Sequence, residues 1–353
     1  MTLTIPVVID DDCRRHEPLA EIWLGVRTPG TEVAERVDVI SAALEVAGAE
    51  FFAAARHDEA ILRQVHDAGL LEHLRTIWRD WDAAGLPVDA GADRVVPYVF
   101  PTAELLAGLP LRAPAAVHAR AGRYCYDTMT LVGPGTWEAA RAAVDGALTA
   151  TDLVLGGASA AYALCRPPGH HATRAGFGGS CYLNNAAVAA EALRAGGAGR
   201  VAVIDIDAHH GNGTQSIFWG RGDVFYGSLH VDPGAGWFPH YLGFADETGR
   251  GDGEGATRNR PLPPGSGDSD WLAALGGICA AAADFGADAV VLSLGVDAAE
   301  ADPESPLAVS AAGYAAAGEL VAALGPCVAV QEGGYDLPTL GELVVATLAG
   351  LAG

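Results

Sequence analysis

Asp205, Asp207, His209 and His210 fall within one run, VAVIDIDAHHGNGTQ at 201–215, and the rest of the chain is organised around them. The β-branched, apolar stretch over 201–206 predicts a buried parallel strand. In open α/β sheets the chemistry sits beyond the carboxyl ends of the strands, which is where these four residues stand. Charged groups lose hydration there, so each has to be paired, hydrogen-bonded or bound to a metal. Asp207 and His209, two apart, lean to the same side, which lets a carboxylate oxygen and an imidazole nitrogen converge on one small cation. Asp205 shares their parity and can hold a neighbour in place. The plainer alternative, an aspartate closing a strand and a histidine capping the next helix, does not account for so many polar groups in so few residues.

Three further stretches have the same form, a strand followed by a chemically capable loop. In RPPGHHATRAGFGGSCYLNN, residues 166–185, His170 and His171 follow Pro-Pro-Gly, a stiff turn that fixes where both imidazoles point. In VVLSLGVDAAEADP, residues 290–303, Asp297 follows an apolar strand as Asp207 does and offers a further oxygen ligand. In VAVQEGGYDLP, residues 328–338, Gly333 and Gly334 permit a sharp turn that places Tyr335 over the sheet, where a phenol can donate a hydrogen bond to a polarised carbonyl. A capping aspartate or a core tyrosine explains any one of these. All four together point to one site assembled from several loops.

The elements that must carry these loops alternate along the chain. Residues 5–9, 51–54, 161–165, 201–206, 224–229, 289–294 and 328–331 read as strands, while 32–47, 56–82, 137–150, 185–195, 270–285 and 310–324 have helical apolar spacing. Such alternation predicts an α/β fold of three layers, a mostly parallel sheet with helices on both faces, and residues 1–353 are read as one domain. The acidic, irregular segment after the first strand carries Asp10, Asp11, Asp12, Glu17 and Glu21 and is expected to line the site. Residues 85–135, rich in Pro, Gly and Ala, read as a long loop insertion, a lid or a subunit contact.

Composition narrows the functions available. Acidic residues number 44 against 21 basic ones, every one of them arginine, for a formal charge of -23. Without lysine there is no lysine Schiff base, pyridoxal chemistry or P-loop lysine. The acidic excess repels nucleic acid. No apolar run of about 18 residues and no signal-peptide pattern occurs, so neither a membrane span nor secretion is expected and cytoplasmic residence is. The six cysteines are scattered without a CxxC pair and are expected to be reduced, mostly buried thiols.

Taken together, RPPGHHA, the GGSCYLNN stretch, DIDAHHGNGTQ, GDVFYGSLH, FPHYLGFADETG, SLGVD and EGGY resemble the histone deacetylase superfamily, and more closely its bacterial acetylpolyamine amidohydrolase branch. The resemblance runs in order over residues 3–352. It implies the arginase and deacetylase α/β fold, with a central sheet of about eight strands. It implies one catalytic divalent metal per subunit, usually zinc, with ferrous iron as the alternative. By resemblance, Asp207, His209 and Asp297 are the metal ligands, His170 and His171 the catalytic histidine pair, and Tyr335 the residue facing the substrate carbonyl. Asp205 then buttresses His170 and Asn212 partners His171. A structural potassium ion is implied beneath the zinc, held by Asp205, by the backbone carbonyls of Asp207, His209 and Leu229, and by the Ser228 hydroxyl. The chemistry agrees: an Asp, His, Asp set leaves coordination positions open for catalysis, and His171 can take the proton of the attacking water.

The departures from the branch concern substrate. Where its insertion carries acidic residues this chain has His118 and Met129, although Glu21 of the early loop matches. The aromatic tunnel wall expected before CYLNN is Ser180, which leaves Phe177 and Phe238 as candidate walls. The expected substrate is therefore a small N-acetylated amine, either acetylpolyamine-like or a bulkier metabolite. By the same resemblance the insertion implies a homodimer whose partner narrows the entrance. A protein acetyl-lysine deacetylase and a non-catalytic binding protein derived from the family are the alternatives. Ureohydrolase chemistry would need a carboxylate where Gly211 stands.

Overall fold

Short β-branched and apolar runs become strands, and the alanine- and leucine-rich stretches between them become helices. The computed structural model describes residues 2–86 and 94–353. Its strands are β1 (Val7–Ile9), β2 (Glu21–Trp23), β3 (Val26–Thr28), β4 (Phe51–Ala53), β5 (Ala160–Ala163), β6 (Val201–Asp205), β7 (Val224–Val231), β8 (Thr257–Leu262), β9 (Ala289–Leu294) and β10 (Cys327–Gln331). Eight of them form one sheet in the order β4-β1-β5-β10-β9-β6-β7-β8. Every pairing within it is parallel.

Alternation of side chains splits the core between the two faces of that sheet. Val201 and Val203 pack with residues of the helices Thr136–Leu155 and Asn185–Ala195. Ala202 and Ile204 face the other layer, built on Trp271 of Asp268–Phe285, Tyr314 of Ala311–Ala322 and Leu348 of Leu337–Ala352. The chain is thus a three-layer α/β structure. Its decisive property for function is that β5, β10, β9 and β6 are consecutive neighbours. At about 4.8 Å per strand, the four loops that leave them open within roughly 15 Å of one another.

The differences from expectation are local. The helical stretch expected over 56–82 is two helices, Ala60–Val65 and Ala68–Ala83, because Asp67 caps the second by accepting from the Gly69 N–H. The acidic segment after β1 is not wholly irregular: β2 and β3 pair as a hairpin whose turn residues, Leu24 and Gly25, both have positive φ. Strand β8 was hidden by its sequence, TRNRPL, which suits only the sheet edge it occupies, where Pro261 is tolerated. The helix Leu337–Ala352 was likewise outside the expected set; Asp336 caps it and a proline opens it. The described part of the insertion carries short helices at Ala103–Leu106 and Val117–Arg120, while its residues 87–93 lie outside the described residues. All six cysteines are free and buried. Among the described residues no helix is long and apolar enough to cross a membrane.

Candidate active site

Beyond β6 the chain rises over the sheet edge with Asp207 and His209, and beyond the adjacent β9 it does so with Asp297. One ligand atom from each of the three lies within 4.8 Å of the others. His209 Nδ1 is 3.0 Å from Asp297 Oδ2 and 3.4 Å from Asp207 Oδ1. Backbone groups hold the carboxylates from behind: the Ala208 N–H donates to Asp297 at 2.7 Å and the Gly333 N–H to Asp207 at 2.8 Å. Burial, and then Asp207, push Asp297 up to about 7, as expected where two buried carboxylates face each other. Burial also works against a charge on Asp207, but His170 and His209 outweigh it and hold that carboxyl far below the usual range. Glycines make the cradle: a Cβ at Gly333 would stand 2.4 Å from Asp297 Oδ2, and one at Gly295 would stand 2.2 Å from Asp207 Oδ2. Two carboxylates and one imidazole, tightly framed and with ligand atoms within 4.8 Å of one another, fit a divalent cation with coordination positions to spare.

The loop after β5 brings His170 and His171 in buried, with ring centroids 4.1 Å apart. His170 Nδ1 lies 3.0 Å from Asp205 Oδ2, which also accepts the Tyr226 hydroxyl at 3.0 Å. Burial disfavours charge on His170, yet Asp207 and Asp205 prevail and push it up to about 10. His171 Nδ1 lies 2.7 Å from Asn212 Oδ1. Burial, followed by the neighbouring His170 and His209, holds His171 well below its ordinary value. The two adjacent imidazoles are thus driven in opposite directions, His170 toward its protonated form and His171 toward its neutral form. Gly211 has no room for a side chain, since a Cβ there would lie 2.3 Å from Asp205 Oδ2.

Tyr335 arrives from β10 through Gly333 and Gly334, the latter at φ +122, a conformation suited to glycine. Asp302 Oδ2 accepts the backbone N–H of Tyr335 at 2.6 Å and that of Asp336 at 3.2 Å. The buried Arg36 donates to the carbonyls of Gly334 and Glu332, at 2.7 and 2.6 Å, and lies 4.9 Å from the Tyr335 ring centroid. Glu32 pairs with Arg36 at 2.9 Å and with Arg166 at 2.8 Å. Desolvation pushes the Tyr335 phenol well above its ordinary value, so it remains a hydrogen-bond donor at neutral pH.

Known proteins share this arrangement of elements over nearly the whole chain. A family model described as the histone deacetylase domain matches residues 30–351. The chain belongs to the histone deacetylase domain family. It is a deacetylase, a hydrolase of amide bonds. An acetylpolyamine amidohydrolase of Mycoplana ramosa is 43% identical over 349 residues, covering 98% of this chain and 99% of that protein. Acetylpolyamine amidohydrolase 1 of Pseudomonas aeruginosa is 40% identical over 348 residues, 98% of each. Among solved structures, the acetylpolyamine aminohydrolase of Burkholderia pseudomallei superposes with a TM-score of 0.90 at 38% identity, again covering 98% of each chain.

In this deacetylase Glu21, Met129, Ser180 and Phe238 line one pocket with His171, His209 and Tyr335. Phe238 meets His171 edge-on, with centroids 4.8 Å apart. Two expected substrate contacts are elsewhere. Phe177 is not a wall of the pocket: backbone bonds with Tyr124 and Tyr126 draw it into the core, where it packs 5.7 Å from Tyr182 and 6.1 Å from His73. His118 is exposed on the short helix Val117–Arg120, with its ring 6.4 Å from Tyr98, and is not among the residues lining the pocket. Of the residues expected around potassium, Asp205 closes β6 in register with Ser228 of β7, whose hydroxyl lies 2.8 Å from His230 Nδ1, Leu229 follows on β7, and Asp207 and His209 lie in the loop after β6.

Sequence reasoning missed Thr31 and Glu304 on the same pocket. The Thr31 hydroxyl donates to Glu304 at 2.9 Å. Burial, and next the charge of Glu304, push Glu21 up to about 7. The one signal for Glu304 was its position directly after the 290–303 stretch.

Proposed function

We propose that this chain removes the acetyl group from a small N-acetylated amine whose remaining part is cationic, the acetylpolyamine class, using one divalent cation held by Asp207, His209 and Asp297. One observation carries the proposal. The pocket that brings His209, His171 and Tyr335 together is also lined by two carboxylates, Glu21 and Glu304. The N and O donor set favours zinc, with ferrous iron as the alternative. A potassium ion on Asp205, Ser228 and the carbonyls of Asp207, His209 and Leu229 would brace the ends of β6 and β7. The names of the relatives, acetylpolyamine amidohydrolases of nearly the same length, support the substrate class.

The divalent cation supplies Lewis acidity toward the amide oxygen and toward water. The protein supplies the rest. A carbonyl oxygen only accepts, so the bond to Asn212 Oδ1 places the His171 proton on Nδ1 and leaves Nε2 free. That nitrogen takes the proton of the attacking water and returns it to the departing amine. His170, fixed at Nδ1 by Asp205, stands beside it. Tyr335 donates its hydroxyl proton in a hydrogen bond to the oxygen that gains negative charge. Glu21 and Glu304 hold the ammonium of the departing half.

The chain is further proposed to act in the cytoplasm, as a single domain of 1–353 that forms homodimers through the insertion at about 85–135. A second reading, a bulkier acylated amine, draws support from an apolar cavity of about 620 Å³ that shares Met129 and Phe238 with the pocket and is lined by Trp23, Tyr126 and Tyr241. A panel of acetylated polyamines, neutral N-acetyl alkylamines of equal length, bulky N-acetyl amines and acetyl-lysine peptides, compared by kcat/KM, separates the readings. The proposal expects acetylated polyamines to lead, and expects Glu304→Gln to raise KM about tenfold for them alone, the scale of one charge-assisted contact. Equal kcat/KM for cationic and neutral amines contradicts it.

A further inference from the structure

Glu332 belongs to the EGGY stretch, yet none of the chemistry above uses its side chain. It is fully buried, directly after β10, and its bonds reach the loop after β5 and the neighbouring strand β9. Its Oε2 accepts two consecutive backbone N–H groups, that of Gly169 at 2.6 Å and that of His170 at 3.1 Å. Its Oε1 accepts the hydroxyl of Ser293, a β9 residue, at 3.2 Å. Its own carbonyl is the one that Arg36 grips on the way to Tyr335. The peptide it holds is also confined by the neighbouring helix start, since a Cβ at Gly169 would lie 2.5 Å from the Asn185 nitrogen.

We infer that Glu332 is a positioning residue: its accepting oxygen fixes the main chain at Gly169 and His170 and thereby sets where the paired imidazoles stand relative to Tyr335. The inference rests on the proposal that His171 carries the proton, and it adds the part that holds that histidine in register with the β10 side of the site. A buried carboxylate is costly unless its oxygens are hydrogen-bonded, and here both are. Reach matters more than charge, because the oxygen that takes both N–H groups is present in the carboxylate and in its neutral isostere alike.

Two substitutions separate those properties. Glu332→Gln keeps the length and loses the charge, whereas Glu332→Asp keeps the charge and withdraws the oxygen by one methylene. The expected result is kcat lowered at least tenfold and up to about 10² in E332D, with KM within about twofold, and E332Q within about threefold of the parent, the scale for a misplacement near 1 Å. Amide hydrogen exchange read by mass spectrometry gives a second measure that needs no turnover: peptides spanning 167–172 should exchange faster in E332D than in E332Q or the parent. A kcat in E332Q as low as in E332D, or unchanged exchange in E332D, overturns the inference. If the parent hydrolyses no acetylated amine, the functional proposal fails by itself, and the exchange comparison still decides the role of Glu332.

Discussion

At His171 the tautomer is set by one bond, 2.7 Å to Asn212 Oδ1, and at Tyr335 desolvation keeps the hydroxyl protonated. His171→Ala and Tyr335→Phe should each fold normally by circular dichroism and lose roughly 10² to 10³ in kcat, the scale for one charge-stabilising group. Turnover near that of the parent in either variant would remove the residue from the mechanism. Glu21 gives a prediction in pH. Burial, together with Glu304, Glu32 and Asp127, raises it to about 7. Its negative charge is therefore present above about 7 and lost below, while an alkyl ammonium, with a pKa near 10, stays charged throughout. KM for a cationic acetylated amine should rise as pH falls from 8 to about 6, whereas KM for a neutral amine should stay flat. At this scale the convergence of Asp207, His209 and Asp297 and the pairing of His170 with His171 were legible because each sits in a short motif after an apolar strand. Phe177 was not, because an aromatic beside two glycines reads the same whether it turns to the pocket or to the core.

Between residues and molecule stand the elements that hold the motifs in register. The four loops meet because β5, β10, β9 and β6 are neighbours, an order that apolar runs cannot specify: those runs announce strands but not which strand lies beside which. The boundaries of β9 and of the helix Asn185–Ala195 were readable in full, since β-branched and alanine-rich segments are bounded there by clear turn residues. The β2–β3 hairpin and β8 were not, being short, polar and at the periphery. Arg36 is the clearest device at this level, joining the helix Glu35–Val46 to the Glu332–Gly334 turn. Removing one partner of a buried ion pair costs about 3–5 kcal/mol, and Arg166 still neutralises Glu32, so the loss in Arg36→Ala belongs at the lower end. That variant should show a lower Tm, and because the turn carrying Tyr335 loosens, kcat should fall about tenfold or more with KM little changed. A lower Tm with unaltered kcat would mean that Arg36 serves the fold alone.

For the whole molecule, the described part of the insertion exposes Leu105, Leu109 and Leu111, and Trp23, Leu24 and Tyr241 lie exposed along the apolar cavity beside the pocket. Exposed apolar side chains grouped in this way are what a subunit contact would cover. The proposed homodimer predicts twice the chain mass by light scattering, and Leu105→Glu with Leu109→Glu should shift the protein to monomer; a monomeric parent contradicts it. The formal charge of -23 makes the surface hospitable to cations of every kind, so affinity for a metal is not by itself evidence for the site. Stoichiometry is the sharper test. Elemental analysis of active protein, repeated after chelation and on Asp297→Asn, should find one transition-metal ion per chain, with deacetylation disappearing as the metal is removed and returning as it is restored, and both depressed together in the variant. Hydrolysis that persists in metal-free protein, or an Asp297→Asn chain that keeps full metal and full turnover, would contradict the account.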